Sequence, residues 1–169
     1  MQWASHHRII LVAGLVYLAD QLTKLLVVRT LPFGEQYVVV EGFFRFVHWG
    51  NTGAAWSMFY GNNALLALIS VLSLVVLWIS RQHFDAGRLL GQVGLGLVFG
   101  GILGNLTDRL VWKHVVDFLR FDIYRRGYGE IGFPAFNVAD TAICTGVGLL
   151  LLAAWQNEAK AAEQAGKKV

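Results

Sequence analysis

Four long apolar runs alternate with polar, glycine-punctuated stretches along the chain. Residues 9–28 are apolar except for Asp20, Gln21, Thr23 and Lys24; residues 64–80 are apolar and uncharged and end at Arg81. Arg88 to Asp108 encloses no charge, and residues 137–155 carry none after Asp140. A helix rises 1.5 Å per residue, so about 20 residues cover the roughly 30 Å of a bilayer's hydrocarbon layer. The pattern predicts membrane-crossing helices at about 9–28, 64–80, 89–107 and 137–155. The first is not read as a cleaved leader, because no small-x-small site follows its apolar core and Asp20 and Lys24 occupy that place.

The stretches between the runs read differently. In residues 29–63, Pro32, Gly34, Gly42, Gly50, Gly53 and Gly61 break the chain. The β-branched and aromatic segments Tyr37-Val38-Val39-Val40 and Phe43-Phe44-Arg45-Phe46-Val47 suit short strands. Trp49, Trp56, Phe59 and Tyr60 suit the headgroup level. A small sheet at the membrane surface is expected over about 35–60. Residues 81–88 read as a short polar loop, and 109–136 as a polar loop with Arg109, Lys113, Arg120, Arg125 and Arg126. Residues 156–169 read as a basic tail. In the third span Gly96, Gly100 and Gly104 recur every four residues. That small-residue face lets helices approach closely and is read as scaffold.

Composition agrees with the pattern. Of 169 residues, 56% are hydrophobic and 15% charged, and the mean hydropathy is +0.52. Soluble domains carry about 25% charged residues. The fold class is therefore mainly α and integral to a membrane: one domain, a four-transmembrane-helix bundle with a small β-sheet at its surface. A net charge of +3 with scattered basic residues predicts no nucleic-acid partner. The single cysteine, Cys144, excludes an internal disulfide and a multi-cysteine metal site and is expected to be a small buried side chain.

Polar residues next to hydrocarbon cost free energy and draw attention to function. Four spans put both termini on one side of the membrane. The end of the first span, the start of the second, the end of the third and the start of the fourth then share the other side. Asp20, Asn51, Asn105, Asp108, Asp117, Asn137 and Asp140 all fall there. Asn105 and Asp108 are three apart, as are Asn137 and Asp140, so each pair faces one way on a helix. Asp20 and Lys24, four apart, can pair. Two neighbouring carboxylates cannot easily both ionise, so such a pair offers a base and an acid together. The base can activate water while the acid protonates a carbonyl or leaving amine. That chemistry needs no metal or other cofactor, and none is expected. The chain has no His-Glu-x-x-His motif, no Gly-x-Ser-x-Gly elbow and no phosphate loop, and its histidines (6, 7, 48, 83, 114) are dispersed. A proton relay and a non-catalytic scaffold remain alternatives. A relay calls for ionisable groups through the full depth of the spans, and the termini half has none.

The blocks Asp20-Gln21-Leu22-Thr23-Lys24, Asn51-Thr52-Gly53-Ala54-Ala55, Gly100 to Arg109, Val115-Val116-Asp117-Phe118 and Phe133 to Asp140 resemble, in order, those of lipoprotein signal peptidase, also called signal peptidase II. The resemblance implies a bacterial inner-membrane aspartyl endopeptidase. It would cut the signal peptide from a prolipoprotein just before a diacylglyceryl-modified cysteine. It implies Asp117 and Asp140 as the catalytic dyad. Asp20, Lys24, Asn51, Gly53, Gly101, Asn105, Asp108, Arg109, Asn137 and Ala139 form the supporting shell it implies. It further implies cytoplasmic termini, a periplasmic site with the sheet as a cradle, contact with membrane lipid, and inhibition by globomycin-type cyclic peptides. A monomer is expected. Charge bias leaves orientation open, with six Lys/Arg on the termini side and seven on the site side. The Arg120–Gly132 stretch is expected to be mobile and to cover the site. Gly50 stands where a larger residue is expected before the motif asparagine, which bears on strand geometry there.

Overall fold

In the computed structural model, residues 2–53, 59, 61–84, 86–125 and 129–166 are described. The elements are α1 (Gln2–Thr30), β1 (Gln36–Val40), β2 (Phe44–Asn51), α2 (Asn63–Ser80) with a 3-10 turn at Arg81–Phe84, α3 (Leu89–Val111), β3 (Val115–Arg125), β4 (Gly129–Gly132) and α4 (Val138–Gly166). Among the described residues, four helices are long and apolar enough to cross a membrane: His6–Thr30, Asn63–Phe84, Leu89–Val111 and Val138–Ala159. Their outward leucines, isoleucines and valines are exposed, as expected of side chains whose solvent is lipid, and Cys144 of α4, expected from its apolar run to be buried, is exposed as well.

The axle of the bundle is α3, with 61% of its span buried against 11% for α2. Glycines make this possible on two faces. A Cβ at Gly96 would lie 2.6 Å from Val12 Cβ, and one at Gly100 2.6 Å from the Ala13 carbonyl oxygen, so this face presses on α1. On the other face a Cβ at Gly101 would lie 2.5 Å from the Ala139 carbonyl oxygen, and one at Gly146 of α4 2.7 Å from the Gly94 carbonyl oxygen. The Gly96/Gly100 stripe read from the sequence thus has α1 as its partner. The second stripe, toward α4, is irregular in spacing and was not visible as a repeat. Near the termini the core is apolar: Ile9, Ala13, Leu95, Val98, Phe99 and Leu150.

The sheet is four-stranded and antiparallel, in the order β1-β2-β3-β4. It differs from the expected surface sheet in drawing two strands from residues 109–136, the stretch read as a loop. The reason is burial of the polar residues. Asp117 and Asp122 of β3 are 3% and 0% exposed, so the strand does not alternate apolar-in and polar-out. Asp122 forms an ion pair with Arg45, whose Nε lies 2.8 Å from Oδ2, and accepts a hydrogen bond at Oδ1 from Arg120 Nε at 3.0 Å. Gly132 of β4 packs on Arg120 and Asp122, since a Cβ there would meet Arg120 Nη2 at 2.6 Å and Asp122 Oδ1 at 2.7 Å. Arg120 also lies over the Trp49 ring at 4.6 Å. Much of the stretch expected to be mobile is therefore a clasped hairpin. Arg126 and Gly127 lie outside the described residues, as do Ala54, Ala55, Trp56 and Tyr60.

A bulge in β2 between Phe46 and Trp49 shifts the register, after which Trp49 pairs with Asp117 and Gly50 with Val116. The glycine at position 50 has a local cause. A Cβ there would lie 2.8 Å from the His114 ring, which occupies the space.

Candidate active site

The site is built where the end of α1, the end of α3, β3 and the start of α4 meet. Its first element is a buried ammonium. Lys24 Nζ lies 2.8 Å from Asp20 Oδ2 and 2.8 Å from Asp108 Oδ2, and donates to Asn105 Oδ1 at 3.0 Å. An ammonium has three donors, and three oxygens lie around this one. The Asp20–Lys24 pair is buried inside the protein. The free oxygen of Asp20 and the oxygen of Asp108 bound to Lys24 each hold a backbone amide. Ala139 N–H donates to Asp20 Oδ1 at 2.9 Å, and Val116 N–H donates to Asp108 Oδ2 at 3.0 Å. Those amides belong to the residues immediately before Asp140 and Asp117.

Asn137 provides the next layer. Asp140 N–H donates to Asn137 Oδ1 at 2.9 Å, and Asn137 N–H donates to Asp140 Oδ2 at 3.3 Å. This reciprocal pair caps the first turn of α4 and satisfies donors that helix ends otherwise leave open. Asn137 Nδ2 also donates to Asp117 Oδ1 at 2.8 Å. One asparagine therefore bridges the two aspartates. Asn51 Nδ2 donates to Asp117 Oδ2 at 3.0 Å, and Asn105 Nδ2 donates to Asp140 Oδ1 at 2.7 Å. Burial, and next the charge of Asp140, push Asp117 up to about 7; the amide donors of Asn51 and Asn137 and the Lys24 ammonium pull the other way.

The structure brings together every side chain that the sequence placed at this end. Asp20, Lys24, Asn51, Asn105, Asp108, Asn137, Asp117 and Asp140 form one connected network. Arg109 joins it through Nη1 to the Asn105 carbonyl at 3.3 Å and Nη2 to the Gly53 carbonyl at 3.0 Å. Gly53 N–H in turn donates to Asn51 Oδ1 at 2.9 Å. Gly101 and Ala139 touch the network through packing and backbone: Gly101 admits the Ala139 carbonyl, and Ala139 is fully buried. Sequence reasoning gave no role to Gln21, whose Nε2 donates to Asp108 Oδ1 at 3.0 Å and to Asp20 Oδ2 at 3.2 Å. It also passed over Asn63, whose Nδ2 donates to the Arg109 carbonyl at 2.9 Å. The available signal was a pair of amides, Asn62-Asn63, opening an otherwise apolar run.

A bundle with an apolar core at one end and a braced pair of carboxylates at the other is the build of a multi-pass membrane enzyme. Residues 12–156 match the family described as signal peptidase (SPase) II. The chain is 41% identical over 161 residues to the lipoprotein signal peptidase of Syntrophotalea carbinolica, covering 93% of this chain and 96% of that one. It is 37% identical to that of Bacillus subtilis, covering 84% and 89%. Two solved structures described as bacterial membrane enzymes superpose with TM-scores of 0.74 and 0.70 at 32% and 35% identity; the first covers 90% of each chain, the second 86% of this chain and 90% of the other. The chain belongs to the signal peptidase II family and is a peptidase.

Proposed function

We propose that this protein removes signal peptides from diacylglyceryl-modified prolipoproteins, cutting on the amino side of the lipidated cysteine by water activated between Asp117 and Asp140. The observation that carries the reading is Asn137, which donates to Asp117 and caps the turn bearing Asp140. Two carboxylates tied to one amide keep a fixed relation, and a fixed acid–base pair is what peptide hydrolysis by water requires. Asp117 carries the proton, since its acid form persists to about pH 7. Asp140 stands at the start of α4, where the helix's partial positive charge and the Asn105 donor favour a negative oxygen. Asp140 then acts as base toward water while Asp117 protonates the scissile carbonyl, and the roles reverse as the amine leaves. Asp20, Lys24, Asn51, Gly53, Gly101, Asn105, Asp108, Arg109, Asn137 and Ala139 hold the pair in place.

The proton-relay alternative finds no chain of ionisable groups in the core of the termini half, where Ile9, Ala13, Leu95, Val98, Phe99 and Leu150 surround little polar besides the amide of Gln92. The protein works as a monomer in the bacterial inner membrane, with cytoplasmic termini, the site toward the periplasm and lipid around its spans. It binds globomycin-type cyclic peptides.

The test is cleavage of a diacylglyceryl-modified prolipoprotein in detergent by wild type, Asp117→Asn and Asp140→Asn. Both variants are expected to lose at least about a thousandfold in kcat while staying folded, as shown by a cooperative melting transition. Near-full activity in either variant would remove that aspartate from the dyad. Failure of wild type to cut the lipidated substrate would remove the function.

A further inference from the structure

A cavity of about 200 Å³ lies between α1 and the end of α3. Leu18, Leu22, Leu25 and Val28 of α1 form one wall, and Trp112, the residue after α3, stands opposite. Spacings of three and four place the α1 residues on one stripe of the helix. Leu18, Leu22, Leu25 and Trp112 are exposed, and no residue of α2 or α4 lines the groove. Its floor is polar: the ion pair of Lys24 and Asp108, 2.8 Å apart, with Gln21 beside it. An apolar groove facing lipid therefore ends inward on charged groups, which are costly next to hydrocarbon. The other cations at this end of the bundle are committed. Arg109 is buried against the Asn105 and Gly53 carbonyls, and Arg45 and Arg120 hold Asp122. Among the described side chains, Arg29 and Lys113 are the exposed cations here that have no ion pair. Lys113 Nζ gives one of its three donors to the Leu110 carbonyl at 3.0 Å. Both residues border the groove, since Arg29 continues the α1 stripe four positions past Leu25 and Lys113 follows Trp112. From Leu18 to Arg29 the helix rises about 16 Å, roughly half of a hydrocarbon layer.

We propose that this α1–α3 groove binds one anionic phospholipid from the leaflet on the active-site side, with an acyl chain along Leu18, Leu22 and Leu25 and the phosphate between Arg29 and Lys113. Three features choose this occupant. The groove is as deep as one leaflet, the reach of a single acyl chain. Its volume admits such a chain and not another helix, which is about 10–12 Å across with its side chains. Its mouth carries two cations without acids beside a tryptophan, the residues that meet lipid headgroups. A chain in the groove roofs Lys24 and Asp108, keeps water from their ion pair and steadies α1 against α3. The lipid takes no part in the cleavage proposed above, and its binding does not depend on that reading. It also gives a use to basic residues on the side of the membrane where charge bias alone finds none.

The experiment measures the melting temperature of the full-length protein in detergent, first washed until native mass spectrometry shows no retained lipid. Dioleoyl phosphatidylglycerol, dioleoyl phosphatidylcholine or inorganic phosphate is then added. Phosphatidylglycerol is expected to raise the melting temperature by at least about 4 °C, and phosphatidylcholine by no more than about a third as much. Inorganic phosphate, which has no chain to lay in the groove, is expected to leave it unchanged. The double variant Arg29→Gln/Lys113→Gln is expected to lose most of the rise with phosphatidylglycerol. Leu22→Trp, which fills the groove, is expected to lose it too. Leu26→Trp, exposed on α1 but outside the groove, is expected to keep it. Should Leu22→Trp fail to fold, Leu18→Trp must show the same loss. No rise with phosphatidylglycerol overturns the site, and so does a full rise in the double variant or in the groove-filling variant. Equal rises with the two lipids overturn the role of the cations. A full rise with inorganic phosphate replaces the lipid by a free anion.

Discussion

Asp117 is an acid whose surroundings disagree about its charge. Burial and Asp140 favour the proton, and the Asn51 and Asn137 amides favour its loss, with a balance at about 7. If Asp117 must be protonated to act, kcat falls as pH rises through that value. Removing the Asn51 donor tips the balance further toward the proton. Asn51→Ala is therefore expected to move the alkaline limb of the kcat profile upward, by about half a unit to one unit. A limb that stays put would mean that some other group titrates there. Stability carries the same signature. An ordinary aspartate in the unfolded chain loses its proton near about 4, whereas folded Asp117 keeps it to about 7. Between those values the folded state binds more protons, so stability declines as pH rises. Asp117→Asn, which cannot titrate, is expected to lose activity and also to narrow the difference in melting temperature between pH 5 and pH 8. An unaltered difference would contradict the raised acid.

The helices hold their registry through glycines, and the registry sets the site. The Ala139 carbonyl reaches Gly101 so closely that a Cβ there would lie 2.5 Å away. Backbone cannot yield as a side chain can. Gly101→Ala should push the first turn of α4, with Asn137 and Asp140, off α3 and cost at least about tenfold in kcat, with a lower melting temperature. Gly148, also in α4, has open space around its Cβ position. Gly148→Ala is expected to leave activity alone and to be neutral or stabilising by up to about 1 kcal/mol. Equal effects at the two positions would show that packing against α3 is not what matters. The spans were legible in the sequence because apolar runs of membrane length have few other readings. The strand pairs were not. β2 and β3 are joined across α2 and α3, and the polar residues of β3 are buried for reasons local pattern does not carry: Asp117 belongs to the site, and Asp122 is clasped by Arg45 and Arg120. A strand with acids on its inner side reads as a loop.

Taken whole, the molecule is an apolar bundle at one end and a polar knot at the other, and Lys24 ties the knot. Counting spans was enough to gather seven acids and amides at one end. It could not reveal that Lys24 joins Asp108 as well as Asp20, because the partners are 84 residues apart and meet only once α1 and α3 pack. Through those two carboxylates one ammonium holds the backbone of α4 at Ala139 and of β3 at Val116. Bundle and sheet, each bearing one aspartate of the proposed dyad, are set against each other by it. Lys24→Met, similar in length and uncharged, would leave two buried carboxylates facing each other with no cation between them. Breaking buried pairs this way costs about 3–5 kcal/mol. The expected outcome is a fall in melting temperature of about 10 °C and loss of nearly all cleavage. The double variant Lys24→Met/Asp20→Asn removes one of the stranded charges yet keeps an Oδ1 that can accept from Ala139. It is expected to regain at least about half of the lost stability and little of the activity, since Asp108 no longer has a cation to fix β3. If Lys24→Met melts and cuts as wild type does, the bundle and the sheet hold their relation by packing alone, and the ammonium is not what aligns the two aspartates.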